Sequence, residues 1–423
     1  MPTLSVIMIV KNEANRLPQC LESVRDIADE IVVGDTGSVD GTEAVAERFG
    51  AKVFAVPWHE DFAEARNRTL EAATGDWLLH LDADEALDPQ SAERIREIVD
   101  NDGNGADAIE VTLANYCDDP RAWRWRPVTP GYPYAGGHAG YLPVPLLRLF
   151  RNGCGFEYRE PIHENITESV HENGGRIRSE DIVIHHYGYD PDASRTGPKA
   201  ATYLVLARRK AAARPEDPKA LHDLAEQALA CGQEGEAEQS CRRALDIAPH
   251  HVNAATTLAN ILLNRGDRDE ARELLEGLEA DGIKPPHLLM ALGAIDYRDG
   301  RLDQAQQRLE AAVEAAPEAV TGRLYLARVY DAQHEVDQAA SQLDQVQAMA
   351  PTVQEFRERV EAHQFRRQGQ RNLEAGQPEA ALADFVEALR RDGEDPLVHH
   401  GIGVVLQELG RADKARESFE RAL

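Results

Sequence analysis

Asp76-Trp77-Leu78-Leu79-His80-Leu81-Asp82-Ala83-Asp84-Glu85 decides how the N-terminal half is read. Residues 77–81 are an apolar run of strand length, interrupted only by His80, and the run gives way at once to acid. They predict a buried strand with its end at residues 82–85. Two carboxylates one residue apart at such an end raise each other's pKa unless a cation neutralises them. A hard divalent ion, Mg2+ or Mn2+, suits oxygen ligands of this kind. Such an ion can bridge a diphosphate and stabilise it as a leaving group. Taken alone, the same acids are also what a solvated turn looks like.

The alternation extends back to the N-terminus. Leu4–Val10 is a continuous apolar run, residues 17–27 have helical spacing, and residues 31–33 form a short strand ending at Gly34-Asp35. Residues 42–49 predict a helix, 52–56 a third strand and 62–73 another helix. Buried strands alternating with helices predict an α/β, Rossmann-like domain with a mostly parallel sheet covered on both faces. Ligands in such sheets sit beyond the carboxyl ends of strands, where the polar clusters 11–15, 35–42 and 82–85 all fall. Within 37–42 the turn itself calls for glycine, and Asp40 or Thr42 is expected to cap the next helix. Residues 115–145 break the pattern with Trp123, Trp125, three arginines and several Gly and Pro, and predict a long loop or small hairpin over the site.

From about Thr196 onward the sequence is helical and repeats. Gly232, Gly266 and Gly300 are 34 residues apart, the next step lands on His334, and Gly376 and Gly410 resume the interval after eight inserted residues. Seven residues before these markers stand Ala225, Ala259, Gly293, Ala327, Gly369 and Gly403; five after stand Ala237, Ala271, Ala305, Ala339, Ala381 and Ala415. Small side chains at both places let the two helices of each hairpin cross tightly. Pro249, Pro317 and Pro351 fall where a helix must stop. The period and the small residues resemble the tetratricopeptide repeat family. The last residues, 420–423, lie inside the second helix of a repeat with no polar capping helix after it. That predicts a truncated chain or a covering partner.

Four blocks of the N-terminal half also resemble a family. They are Val6-Ile7-Met8-Ile9-Val10-Lys11-Asn12-Glu13, Val32-Val33-Gly34-Asp35-Thr36-Gly37-Ser38-Val39-Asp40-Gly41-Thr42, Trp58-His59-Glu60-Asp61-Phe62-Ala63-Glu64-Ala65-Arg66-Asn67, and residues 76–85. In order and spacing they resemble family 2 glycosyltransferases, which have the GT-A fold. The resemblance spans about residues 4–190. It fits the branch in which a transferase domain precedes tetratricopeptide repeats, a branch that includes bacterial protein and peptide glycosyltransferases.

The resemblance implies roles. Asp35 hydrogen-bonds the pyrimidine base of the donor, and the strand end from Val10 through Asn12 to Glu13 lines ribose and base. Asp61, Arg66 and Asn67 help hold nucleotide and sugar. Asp82 and Ala83 face ribose or sugar, and Asp84, with Asp82 as a second ligand, binds the metal. A later carboxylate acts as general base. Glu157, Glu160 and Glu164 are in the right stretch, with Glu164 the first choice and Glu160 the second. Glu157, between Phe156 and Tyr158, also fits simple alternation along a strand. Residues 182–189 end in His185-His186-Tyr187-Gly188-Tyr189. A late histidine often completes the GT-A metal site, and His186 is the candidate, with His185 and His163 as alternatives. Imidazole suits Mn2+ better than Mg2+. No separate Q-x-x-R-W motif of processive members is present.

Composition limits the partners. A formal charge of −28, with seven lysines among 46 basic residues, disfavours nucleic acid. No run of 18 apolar residues exists, and the first residues read as a buried strand rather than a signal peptide, so the expected location is the cytoplasm. The five cysteines are scattered without a CxxC, which predicts neither a disulfide framework nor a zinc site built from them. The expected protein is a GT-A domain over residues 1–213 and an all-α tetratricopeptide solenoid of about six hairpins over 214–423. Its expected activity is metal-dependent, inverting transfer from a nucleotide diphosphate sugar, UDP by the resemblance, to a protein or peptide acceptor bound by the repeats. Two alternatives are transfer to lipopolysaccharide core or another glycan, with the repeats recruiting partners, and an inactive transferase-like scaffold. Intact Asp82, Asp84, Glu164 and His186 argue against the scaffold.

Overall fold

The computed structural model describes all residues except 121, 123, 130, 189–197, 351, 352, 394 and 423. The expectations placed on Trp123, Tyr189, Thr196, Pro351 and Leu423 lie outside the described residues. The chain forms two compact units: Met1–Asp118 with Pro133–Asp267, and Asp119–Tyr132 with Arg268–Leu423.

In the first unit, strands β1 (Leu4–Val10), β2 (Glu30–Asp35), β3 (Lys52–Ala55) and β4 (Trp77–His80) alternate with helices α1 (Leu17–Val24), α2 (Thr42–Arg48) and α3 (Phe62–Ala72). After β5 (Glu85–Leu87) come α4 (Pro89–Asp100) and β6 (Ala108–Cys117). The two-residue strand β7 (Arg126–Pro127) belongs to the second unit. The first unit continues with β8 (Gly140–Arg151), α5 (Thr167–Glu172) and β9 (Ile177–His186). Its sheet has the order β3-β2-β1-β4-β8-β6-β9-β5. The first four strands in that order are mutually parallel, β8 is antiparallel to both β4 and β6, β9 is parallel to β6, and β5 is antiparallel to β9. Among these eight strands β8 and β5 run against the rest, which matches the parallel sheet predicted from the first 81 residues and makes the sheet mixed.

Alternation along β1 sorts the core into two layers. Leu4, Val6, Met8 and Val10 pack with Leu17 and Leu21 of α1 and Ile95 and Ile98 of α4. Ile7 faces the opposite layer with Val32, Leu78, Ala63 of α3 and Val170 of α5. The irregular stretch is shorter than predicted. β6 runs to Cys117 and β8 starts at Gly140, because both continue as a long antiparallel pair.

The first unit ends in helices Pro198–Ala213, Pro218–Ala230, Glu234–Ile247 and Val252–Arg265. The second is built of helical hairpins from Arg268 onward. The repeat markers explain themselves geometrically. Gly232, Gly266, Gly300, Gly376 and Gly410 all sit at φ between 70° and 96°, and His334, at the same position in the period, is at 64°. Each closes an inter-helix turn in the left-handed region. The small residues five places on, Ala237, Ala271, Ala305, Ala339, Ala381 and Ala415, are all buried. A Cβ at Gly293 would come within 2.5 Å of Leu309 in the facing helix. Among the described residues no helix is long and apolar enough to cross a membrane.

Candidate active site

The carboxyl ends of β1, β2, β4, β6 and β9 bring the predicted residues to one rim. The loops after β1 and β2 are laced together. Asn12 N–H donates to Ser38 Oγ at 2.9 Å, and Asn12 Oδ1 accepts from Val39 N–H at 2.9 Å. Glu13 N–H donates to Thr42 Oγ1 at 2.8 Å, and Ala14 N–H to Asp40 Oδ2 at 3.1 Å. The carbonyl of Val10 accepts from both the N–H and the Oγ1 of Thr36 at 3.0 Å. Gly41, at φ 91°, is the N-cap position of α2, and Asp40 serves the helix start as expected, its Oδ1 accepting from Thr42 N–H at 3.0 Å. Asp40 Oδ2 and the Thr42 hydroxyl join the two loops.

Asp35 closes β2. Its Oδ1 accepts from Gly37 and Ser38 N–H at 2.6 and 2.7 Å, while its buried Oδ2 has no hydrogen-bond partner among the described residues. Burying an acceptor unsatisfied is costly, so an oxygen left this way at a strand end is prepared for a donor.

Asp84 and His186 meet across the strands. His186 Nε2 lies 3.5 Å from Asp84 Oδ2, and Nδ1 is 2.6 Å from Asn115 Oδ1. The register fixes this geometry, since His186 on β9 is flanked by Asn115 on β6 and Glu85 on β5. Nδ1–H donating to Asn115 leaves Nε2 as the ring nitrogen that faces Asp84. Burial opposes protonation of His186, but Asp84 prevails and its pKa lies above the ordinary value. A Cβ on Gly188 would land on the Asp84 carboxylate, so glycine keeps that space clear. Arg16 Nη1 is 3.7 Å from the same carboxylate. His185, adjacent in sequence, points the other way. It is fully buried, with Nε2 3.1 Å from Asp88 and Nδ1 2.8 Å from the Tyr116 hydroxyl. His163 is exposed, with Nε2 3.3 Å from Gln227 Nε2.

Asp82 is turned away from Asp84 toward a buried basic cluster. Its Oδ1 accepts from Arg66 at 3.0 Å, and Arg148 stands 3.6 Å from its Oδ2. Burial works against its charge, yet Arg66 and its neighbours hold the carboxyl well below the usual range. Arg66 Nε also donates to Glu164 Oε1 at 2.6 Å, so one guanidinium joins Asp82 to Glu164. His80 sits behind them, with Nδ1 2.8 Å from the Tyr158 hydroxyl. Burial, then Arg148 and Arg66, depress its pKa well below the ordinary value. Arg148 donates to Glu85 at 2.7 Å, and burial pushes the Glu85 carboxyl up despite that partner.

Of the remaining predicted residues, Asp61 and Asn67 hold backbone. Asp61 caps α3 by accepting from Glu64 N–H at 2.9 Å. Asn67 brackets Tyr158, donating to its carbonyl at 2.8 Å and accepting from its N–H at 2.7 Å. Glu160 is buried and paired with Lys210 at 3.1 Å and with Arg214. Ala83 is buried in the core layer shared with β1. Sequence reasoning missed Arg148, Asn115, Glu85 and Tyr158. The available signal was a polar residue inside an apolar strand, as in Leu113-Ala114-Asn115-Tyr116 and Leu147-Arg148-Leu149.

Residues 5–166 match the family model for glycosyl transferase family 2, and residues 228–295, 297–358 and 366–423 match tetratricopeptide repeat models. Across its full length the chain is 29% identical to a TPR repeat-containing protein of Synechococcus elongatus, covering 92% of that protein. It is 23% identical to the SPbeta prophage-derived glycosyltransferase SunS of Bacillus subtilis, over 66% of this chain and 63% of SunS. With an uncharacterized glycosyltransferase of Rickettsia felis it shares 39% identity over 23% of this chain and 34% of the relative. The chain therefore spans less than two thirds of the length of these two glycosyltransferase relatives. Motif order, sheet and matches agree that residues 5–166 are a family 2 glycosyltransferase domain, joined in this chain to C-terminal tetratricopeptide repeats.

Proposed function

We propose that this glycosyltransferase carries out metal-dependent, inverting transfer of a sugar from a UDP-sugar to a protein or peptide acceptor engaged by the repeats. The observation that carries the reading is the Asp84–His186 pair at 3.5 Å, with Asn115 orienting the ring. Asp84 and His186 would hold the ion, and one carboxylate with one imidazole suits Mn2+ better than Mg2+. An ion held there would supply positive charge to a departing diphosphate. The unpaired Oδ2 of Asp35 supports a pyrimidine ring N–H as its partner. Val10, Asn12 and Glu13 form the neighbouring wall for base and ribose, on loops the lacing keeps rigid.

Arg66 and Asp82 position the sugar. Glu164 takes the acceptor's proton as the anomeric carbon gains oxocarbenium character. Glu160 is the weaker candidate for base, because its carboxylate is buried and engaged by Lys210 and Arg214. The deciding experiment is a thermal-shift screen with UDP, GDP, CDP and dTDP sugars, each with and without Mn2+. UDP-sugar is expected to raise the midpoint most, and Mn2+ to add to it in the wild type but not in Asp84→Ala. Full turnover in EDTA, or an Asp84→Ala protein with normal transfer, overturns the reading.

A further inference from the structure

The helix Pro218–Ala230 carries His222, Asp223 and Glu226, and one ligand atom from each lies within 4.8 Å of the others. Among the described residues this is the one group of three His, Cys, Asp or Glu side chains that comes so close. His222 and Glu226 are one helical turn apart and share a face, with Nε2 3.9 Å from Oε1. His222 is buried. The Glu226 side chain is 53% exposed, which leaves an entry path from solvent.

Asp223 is buried and accepts from Lys210 Nζ at 2.7 Å through Oδ2, leaving Oδ1 for another partner. Two carboxylates and one ammonium leave the cluster one negative charge, beside the imidazole ring. This is a donor set for a dication. His222 Nε2 is 3.2 Å from Thr257 Oγ1, a hydroxyl that rotates freely enough to give up that contact.

We propose that His222, Asp223 and Glu226 bind a divalent transition metal, with Zn2+ the ion best suited to one imidazole, two carboxylate oxygens and a water. The site shares no residue with the Asp84–His186 pair and does not depend on the catalytic reading. Lys210 connects it to Glu160, 3.1 Å from the same ammonium, and so to the segment carrying Glu164. An ion at Asp223 therefore anchors the helix on which that segment leans.

The test uses the full-length, untagged chain carrying Asp84→Asn and His186→Ala, so that the other candidate metal pair is gone. Titration with Zn2+ in a calorimeter is expected to give one ion per chain and a higher thermal midpoint. Adding Glu226→Gln, or separately His222→Gln, is expected to weaken binding by at least about tenfold and to abolish the midpoint shift. Glu226 is exposed enough that its variant folds, which circular dichroism checks. Absence of Zn2+ binding in the background protein, or binding unchanged by both substitutions, overturns the proposal.

Discussion

Glu164 and Asp82 are held on either side of one guanidinium, Arg66, at 2.6 and 3.0 Å. If Glu164 is the base, Glu164→Gln keeps the shape and removes the proton acceptor. Steady-state kinetics are expected to show kcat lower by about 10²–10⁴-fold with donor affinity nearly unchanged. A loss of UDP-sugar binding instead places Glu164 in donor recognition. A second residue-scale expectation concerns acid. His185 is buried between Asp88 and Tyr116, and burial depresses its pKa below the ordinary 6.5. The folded state thus holds fewer protons than the unfolded chain, and the stabilisation is present above about 6.5 and lost as pH falls below it. The urea midpoint is expected to drop between about pH 7.5 and pH 5.5, and His185→Asn to flatten part of that slope. At this scale the sequence shows which side chains stand at strand ends, and so singled out Asp84, His186 and Asp35. It does not show partners on strands 60 or more residues away, which is why the links from Arg148 to His80 and from Asn115 to His186 were not legible.

Among elements, legibility follows periodicity. Strands β1 to β4 and helices α1 to α3 were readable to within a few residues because each is a short, sharply bounded run. The antiparallel part of the sheet was not, since β6 and β8 pair over a separation that no local pattern records. The turns of the repeats were legible through glycine, and His334 is the exception that tests the reason. A non-glycine residue at φ 64° carries left-handed strain of about 1–2 kcal/mol, while glycine costs about 0.5–1 kcal/mol in backbone entropy. His334→Gly is therefore expected to stabilise the second unit by about 0.5–1 kcal/mol, measured as a higher urea midpoint. A lower midpoint shows that the imidazole makes contacts worth more than the strain.

At the scale of the molecule, grammar alone suggested a boundary near residue 213, where strands stop and repeats begin. Compactness groups residues differently, keeping the helices up to Asp267 with the sheet. The ion pairs of Glu160 with Lys210 and Arg214, and of Lys210 with Asp223, give that grouping a physical basis. A chain ending at 213 loses Arg214 and Asp223 and strands a buried Lys210–Glu160 pair. A chain ending at 267, with residues 119–132 replaced by a Gly/Ser linker, is expected to bind UDP-sugar as the full chain does. It is also expected to lose transfer to a macromolecular acceptor, because the repeat surface is gone. Transfer at the full rate by the shortened chain shows that the repeats serve another end.

The segment Asp119–Tyr132 has one more implication. It interrupts the first unit yet belongs to the second, where Arg126 pairs with Glu318 at 2.9 Å. The polypeptide therefore passes between the units three times, at 118/119, 132/133 and 267/268, like a thread stitched through and back rather than a single hinge. A protease nick at 267/268 gives two bands on a denaturing gel, but the pieces are expected to elute from a sizing column as one species, because the stitch at 119–132 remains seated. Two separate peaks after that cut mean the segment is only loosely held.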